Sequence, residues 1–245
     1  VISDANGKEI RRVATSFGSG VQRFTWDGRY GSNMSLNLRG APKTNADDAF
    51  FAPPGQYSVS MYQSLDGEVS MLAGPQNFSI RHLNNNTLVA KDKAALVTFQ
   101  QEIDVVGREL SALDEYYKET NTLIDHLKAA ARNTAGAPFE SLTNLRALEK
   151  RINGVAIQLY GDNAIKGTEQ AVLPGLQDRL GLTAWASWYN TAEPTGTQKQ
   201  DLQMVKDAIP ALTTELEDIM AKADVIKTDL YKAGAPYLRG DLPNK

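Results

Sequence analysis

The sequence predicts a segregated α+β protein, with a β-sandwich over residues 1–85 and an up-and-down helical bundle over residues 90–235. Two observations predict this fold class. The first part holds short apolar segments of period two between Gly, Pro and Asn turn signals, which is typical of antiparallel strands. The second part holds two unbroken stripes of apolar residues in alternating steps of three and four, which is typical of long paired helices. Residues 236–245 are expected to form an extended tail.

The β part opens with a turn at Asp4-Ala5-Asn6-Gly7, in which Gly7 suits a left-handed backbone. Asp4 and Asn6 also have the spacing of the first two ligands of a calcium loop. The next ligand position is Lys8 and no Glu closes the loop, so the turn is the favoured interpretation.

Strand character follows along the chain, most clearly where Tyr57, Val59 and Met61 alternate with polar neighbours. The predicted strands are Glu9 to Ser16, Val21 to Trp26, Gln56 to Tyr62, Val69 to Ala73 and Asn77 to Arg81. The long excursion from Asp27 to Ala52 offers the acidic pair Asp47 and Asp48, which is more typical of solvated residues than of a catalytic pair.

The first long helix is predicted from about Lys91 to Arg132, which at 1.5 Å per residue is on the order of 60 Å. Its apolar stripe reads Leu96, Phe99, Ile103, Val106, Leu110, Leu113, Tyr117, Thr120, Ile124 and Leu127. The last long helix follows Glu193-Pro194-Thr195, and Pro210 should kink it or break one turn. Its stripe reads Leu202, Val205, Ile209, Leu212, Leu216, Ile219, Ala223, Ile226 and Leu230. We expect the two long helices to be antiparallel and to face one another as bundle core, although a seam of this kind can also dock on a partner or a second copy.

Two shorter helices are predicted between the long ones. One follows Pro138, ends near Gly161 and carries an apolar stripe from Leu142 to Leu159. The other runs from about Leu176 to Tyr189 and contains Trp185 and Trp188. Trp185, Trp188 and Tyr189 are the candidate ligand or partner contacts, because aromatic faces suit sugar rings. Packing over the end of the bundle is the more common role of such residues.

Composition excludes several classes of function. The net charge of −3 argues against a nucleic-acid-binding protein, which needs a basic face. No apolar run approaches the roughly 20 residues that a membrane span needs. The absence of cysteine excludes a disulfide framework, thiol catalysis and cysteine-based zinc sites. His82 and His126 have no partner at metal-ligand spacing, and no phosphate-binding glycine loop or nucleophile elbow occurs. The sequence therefore predicts no catalytic, cofactor-binding or metal-binding residue, and Arg239-Gly240-Asp241 is interpreted as a coincidental tripeptide in the tail.

The chain opens on Val1-Ile2-Ser3-Asp4, without an initiator Met, a basic leader or an apolar leader, as though already inside a strand. We expect it to be a fragment or processed product of a longer protein.

Two stretches resemble known families. The series Ser3 to Lys8, Arg23 to Tyr30 and Pro53 to Val59 resembles the immunoglobulin-like (Ig-like) module also seen in flagellar-hook capping proteins. Glu193 to Gln198 and Ala233 to Tyr237 resemble the C-terminal region of bacterial sortilin-type β-propeller proteins with BNR (Asp-box) repeats, which are often labelled glycosyl hydrolases.

The resemblance implies a non-catalytic C-terminal scaffold or interaction region of an exported multidomain protein, in the periplasm or at the cell surface of a Bacteroidota-like bacterium. Its implied partner is the upstream β-propeller of the same protein or another cell-envelope protein, with no cofactor. Two alternatives remain open: an accessory part of a glycoside hydrolase whose active site lies in that propeller, and a carbohydrate-binding or adhesin module that contacts a glycan.

Overall fold

The computed structural model describes residues 1–15, 18, 20–32, 49–81, 83, 88–168, 170–238 and 240–243. The chain forms a mixed α+β fold of two compact units. The first unit comprises residues 1–105 and 184–195, and the second comprises residues 106–183 and 196–245. No helix of the described residues is both long enough and apolar enough to span a membrane.

The first unit contains a four-stranded antiparallel sheet with the order β2-β1-β3-β4. The strands are β1 (Ile2–Asp4), β2 (Glu9–Arg11), β3 (Gly55–Leu65) and β4 (Glu68–Ile80). The β3–β4 hairpin turns at Asp66 and Gly67, which both have positive φ, of 51° and 86°. Such a turn matches the right-handed twist of the paired strands, which explains why Asp-Gly stands there.

A small aromatic core covers one end of this sheet. Its buried members are Ile2, Ile10, Ala52 and Tyr57, against which Trp26, Tyr30, Val59, Phe78 and Ile80 pack. The Trp26 ring lies edge-on to Phe78 at 6.1 Å between centroids, and its indole N–H donates to the Arg29 carbonyl at 2.8 Å. The Tyr57 hydroxyl donates to the Pro53 carbonyl at 2.6 Å. Each buried polar tip thus has an acceptor, so the rings can be removed from water without an unpaired donor.

The sequence prediction for the β part needs three corrections. Residues Val21 to Trp26 form no strand, because the segment contributes the Trp26 ring to the core instead of joining a ladder. The two predicted strands Val69 to Ala73 and Asn77 to Arg81 are one strand, β4, which continues through Gly74 and Pro75. The predicted strand from Glu9 to Ser16 ends at Arg11.

Five helices follow along the chain. They are α1 (Lys93–Asn133), α2 (Phe139–Tyr160), α3 (Asn163–Lys166), α4 (Leu176–Trp188) and α5 (Gly196–Lys232). The bounds of α1, α2 and α4 agree with the sequence prediction to within two residues, and α5 begins directly after Thr195 as expected. Helix α3 was not predicted; the Asp162 carboxylate caps it by accepting from the amides of Ala164 and Ile165.

Both predicted stripes are buried. In α1 the stripe residues are buried apart from Tyr117, which is half-buried, and in α5 only Ile209 is half-buried. Burying a Leu or Ile side chain contributes about 1.5–3 kcal/mol, so these stripes are the main stabilising feature of the helices. Pro210 does not break α5, which is helical throughout.

Within the second unit, polar contacts tie α2 to both long helices. Arg151 of α2 forms a two-pronged pair with Glu215 of α5 at 2.7 and 2.8 Å, and also pairs with Asp218 at 2.7 Å. The Tyr160 hydroxyl of α2 donates to the Asp114 carboxylate of α1. Of the helix pairs in the described chain, α2 and α5 approach most closely, whereas the sequence led us to expect the closest pairing between α1 and α5.

Candidate functional site

Two of the three aromatic candidates lie side by side on the surface. Trp185 and Tyr189 stand four residues apart at the end of α4, which places them on the same face of the helix. Trp185 is 66% exposed and Tyr189 is 58% exposed. Their ring centroids are 6.2 Å apart with planes tilted by 44°, so two largely exposed rings stand next to each other.

Trp188, the third candidate, has a different environment. It is half-buried, and its indole N–H is buried with no hydrogen-bond acceptor among the residues that the structure describes. Among the described residues, its ring makes no stacking contact with Trp185 or Tyr189. Trp188 is therefore less exposed than Trp185 and Tyr189 and is not part of the exposed pair.

An arginine that the sequence did not single out lies beside the exposed pair. The Arg29 guanidinium carbon is 4.0 Å from the centroid of the Phe51 ring and 5.2 Å from that of the Tyr189 ring. Arg29 is only 8% exposed, and its Nη1 donates to the Ala49 carbonyl at 2.7 Å. Both rings are thus within the range of a cation–π contact, which is strengthened by the exclusion of water.

The local backbone fixes Arg29 in this position. Gly28 has a φ of +79°, and the Arg29 amide donates to the Asp27 carboxylate at 3.0 Å, which closes a tight Asx-type turn. A bridge between Arg29 and Phe51 and a 2.7 Å bond from the Ala52 amide to the Gly28 carbonyl hold the two segments together. The sequence Trp-Asp-Gly-Arg therefore aims the guanidinium at Phe51 and Tyr189.

We call Arg29, Phe51, Trp185 and Tyr189 the aromatic surface. Among the described residues, the Arg29 guanidinium contacts the two ring faces and the Ala49 carbonyl. Exposed rings beside a cation favour a ligand with a flat apolar face and oxygen-rich edges, such as a sugar. The surface offers ring faces for stacking; its four members include no nucleophile and no general base.

A second exposed surface is the distal half of the β3–β4 hairpin, residues 61–72, which we call the ribbon. Neighbouring side chains of a strand point to opposite faces, and both faces of the ribbon expose apolar residues. Exposed fractions range from 44% to 70% for Met61, Tyr62, Leu65, Val69, Met71 and Leu72. Contiguous exposed apolar surface of this kind marks interaction sites more often than isolated apolar residues do.

The other sequence candidates are placed as follows. The Asp4 carboxylate accepts from the amides of Asn6 and Lys8, both at 2.9 Å, and Gly7 has a φ of +78°, which confirms the turn. His126 is exposed on α1, and its Nδ1 lies 2.8 Å from the Thr122 carbonyl oxygen. The acidic pair Asp47 and Asp48, His82 and Arg239 lie outside the described residues. No group of three metal-ligating His, Cys, Asp or Glu side chains occurs within the described part of the chain.

In comparisons with protein-family models, with curated proteins and with solved structures, nothing matches this chain.

Proposed function

We propose that residues 1–245 are a non-catalytic scaffold and interaction region on the C-terminal side of a larger exported protein, next to an upstream β-propeller with BNR repeats. The proposal places the protein in the periplasm or at the surface of a bacterial cell. In it, the sheet and the Trp26 segment form an Ig-like β-sandwich, and the long helices form an up-and-down bundle. The proposed identity of the parent protein rests on the sequence resemblance.

The proposed interaction role rests on the exposed apolar side chains of the ribbon. A two-stranded hairpin is only marginally stable in water by itself, yet here half of the hairpin exposes apolar side chains on both faces. Removing those side chains from water at about 25 cal/mol per Å² would stabilise a complex with another protein surface. The buried helical stripes and the ion pairs of Arg151 support the scaffold role, because they fix the helices that a partner would meet.

The test begins with the coding sequence upstream of Val1, which should encode Asp-box repeats. The upstream region, produced separately, should bind residues 1–245 in calorimetry. A Tyr62→Ser, Leu72→Ser double variant should weaken that binding at least about tenfold, which corresponds to about 1.4 kcal/mol.

Leu182→Ser is the matched control, because Leu182 is 65% exposed but lies on α4. It should bind like the unaltered chain. Absence of Asp-box repeats would contradict the proposed β-propeller. Equal binding by the ribbon variant and the control would contradict the proposed role of the ribbon in that binding.

Carbohydrate binding is the second candidate, favoured by the exposure of the Trp185–Tyr189 pair. Stacking of one sugar ring on such a pair is worth on the order of 1 kcal/mol, so we expect weak binding that depends on both rings. On a glycan array, Trp185→Ala should lose the signal and Trp188→Phe should keep it. Binding that survives Trp185→Ala with Tyr189→Ala would exclude the aromatic surface as a sugar site.

A further inference from the structure

Strand β4 stands at the end of the sheet and has an open edge. It pairs with β3 on one side, and no described residue pairs with its other side. An open strand edge presents unpaired N–H and C=O groups that accept another strand. Proteins usually protect such an edge with Lys or Pro, but between Glu68 and Pro75 the chain reads Val-Ser-Met-Leu-Ala-Gly. Residues 68–73 are also exposed throughout, so another strand can reach this stretch of β4.

The register of the hairpin shows which backbone groups of β4 point outward. The two-residue turn makes its flanking pair, Leu65 and Glu68, a hydrogen-bonded pair. Hydrogen-bonded and non-hydrogen-bonded pairs alternate along an antiparallel ladder. Val69 and Met71 therefore belong to non-hydrogen-bonded pairs, and their N–H and C=O groups point away from β3. The register shifts after Met71, which ends the regular stretch of the strand.

We propose that this edge pairs with the same edge of a second copy of the chain, antiparallel about a two-fold axis at Ser70. In this register Val69 of each copy lies opposite Met71 of the other, so their outward backbone groups exchange hydrogen bonds. The two side chains are 70% and 50% exposed in the single chain, and the cross-strand contact removes part of each from water. The pairing uses the edge of the strand and leaves the faces of the ribbon to the partner of the proposed function.

Charge and composition favour a second copy as the occupant of this edge. Residues 69–73 carry no charge, and the proposed register places Glu68 opposite Leu72 of the second copy instead of another carboxylate. Like charges directly opposite each other would destabilise the pairing, and this register avoids them. A ladder this short buries less than the roughly 1,200 Å² of a stable complex, so we expect a weak, reversible dimer.

Single cysteines can report the pairing, because the chain has no cysteine of its own. The Ser70 residues of the two copies would form a non-hydrogen-bonded pair at the axis, with Cα atoms about 4.5 Å apart, which allows a disulfide. Ser70→Cys should therefore form a disulfide-linked dimer on oxidation. Gln63→Cys is the matched control, because Gln63 is also exposed and pairs with Ser70 within the chain, one strand further from the axis. It should crosslink at least about tenfold more slowly, since its thiols are too far apart.

Sedimentation velocity tests the same pairing without cysteines. The unaltered chain should shift from monomer toward dimer over about a hundredfold increase in concentration. Val69→Lys should weaken dimerisation at least about tenfold, because it sets a charge against Met71 of the second copy. Ser64→Lys is the control: Ser64 pairs with Val69 on the same face of the hairpin but lies on β3, so this variant should dimerise like the unaltered chain.

Four results would overturn the inference: equal crosslinking by the two cysteine variants, a monomer at every concentration, a dimer that Val69→Lys does not weaken, or oligomers larger than a dimer. The last would mean that unlike edges join, since pairing about a two-fold axis closes after two copies. Every measurement uses residues 1–245 alone. The outcome is therefore independent of the proposed β-propeller, and either proposal can fail without the other.

Discussion

Gly175 allows the chain entering α4 to touch the end of α2 with its backbone. A Cβ atom at Gly175 would lie 2.5 Å from the Leu159 carbonyl oxygen and 2.6 Å from the Gly161 nitrogen. Both contacts are with backbone, which cannot rotate away as a side chain can. Gly175 does not have a positive φ, so a glycine is required at this position because no other residue fits the space.

We expect Gly175→Ala to lower the free energy of unfolding by about 1–3 kcal/mol, because overpacking forces backbone to shift. Urea denaturation measures the change. Gly154→Ala is the matched control: Gly154 lies inside α2 with nothing within 4 Å of its added Cβ, so it should gain about 0.5–1 kcal/mol from helix propensity. Equal effects of the two variants would contradict the close contact.

Tyr57 gives the folded chain a dependence on alkaline pH. Burial raises the pKa of its hydroxyl from 10.0 to about 12, with smaller contributions from Tyr30 and Asp4. A raised pKa means that the folded state holds the proton more tightly than the unfolded state. The stabilising contribution is therefore complete below pH 10 and is lost as the pH rises from about 10 to about 12.

Ultraviolet titration of tyrosinate should show one fewer late-ionising group in Tyr57→Phe than in the unaltered chain, in which burial also raises the pKa of Tyr160. The free energy of unfolding of the unaltered chain should fall between pH 10 and 12 more steeply than that of Tyr57→Phe. Parallel curves for the two proteins would contradict the assignment.

At the scale of elements, the helices were predictable and the sheet was predictable only in part. A heptad stripe is local information repeated over many turns, so the α1 and α5 stripes of the sequence reappear almost residue for residue as buried faces. The strands are short, and their pairing joins Ile2 to Val59 across the chain. Val21 to Trp26 has strand composition, but the packing of one ring, Trp26, outweighs that preference. The α3 cap at Asp162 depends on a single residue and was missed for that reason.

Pro210 is the one position at which α5 conflicts with its own sequence. Proline lacks the N–H that would donate to the Lys206 carbonyl, yet the helix continues, because the buried residues on both sides hold it. Pro210 is exposed, so we expect Pro210→Ala to add up to about 3 kcal/mol to the free energy of unfolding without loss of packing.

Calorimetry would register this gain as a rise in melting temperature of roughly 2–4 °C per kcal/mol. Ala211→Pro, also at an exposed position, should lower the melting temperature instead. An unchanged melting temperature in Pro210→Ala would show that the helix already compensates for the proline.

At the scale of the whole molecule, two of the four residues of the aromatic surface could be predicted from the sequence. Trp185 and Tyr189 were found because aromatic residues at helical spacing are visible in any sequence. Arg29 and Phe51 were not, since Arg29 and Tyr189 lie far apart along the chain and meet only through the fold. Trp26 to Arg29 entered the sequence analysis only as part of the resemblance to an Ig-like module, and no local pattern indicates which ring the arginine will face.

The first unit is also joined by hydrogen bonds between distant parts of the chain. The Ala90 amide donates to the Thr191 carbonyl at 2.7 Å, the Lys91 amide to the Glu193 carboxylate at 3.0 Å, and Gln100 Nε2 to the Ser187 carbonyl at 2.8 Å. The last two span 102 and 87 residues of sequence. They hold the start of α1 against the end of α4.

The consequence is kinetic. Contacts at such separation must first overcome the entropy of closing a long loop, whereas each helix forms from neighbours in sequence. We therefore expect these bonds to be absent from the rate-limiting transition state of folding. Gln100→Met, which keeps the volume but leaves the Ser187 carbonyl without its donor, should accelerate unfolding and leave the refolding rate unchanged in stopped-flow denaturant jumps. Slower refolding of Gln100→Met would instead mean that the start of α1 and the end of α4 come together before the transition state. Folding would then begin at this contact.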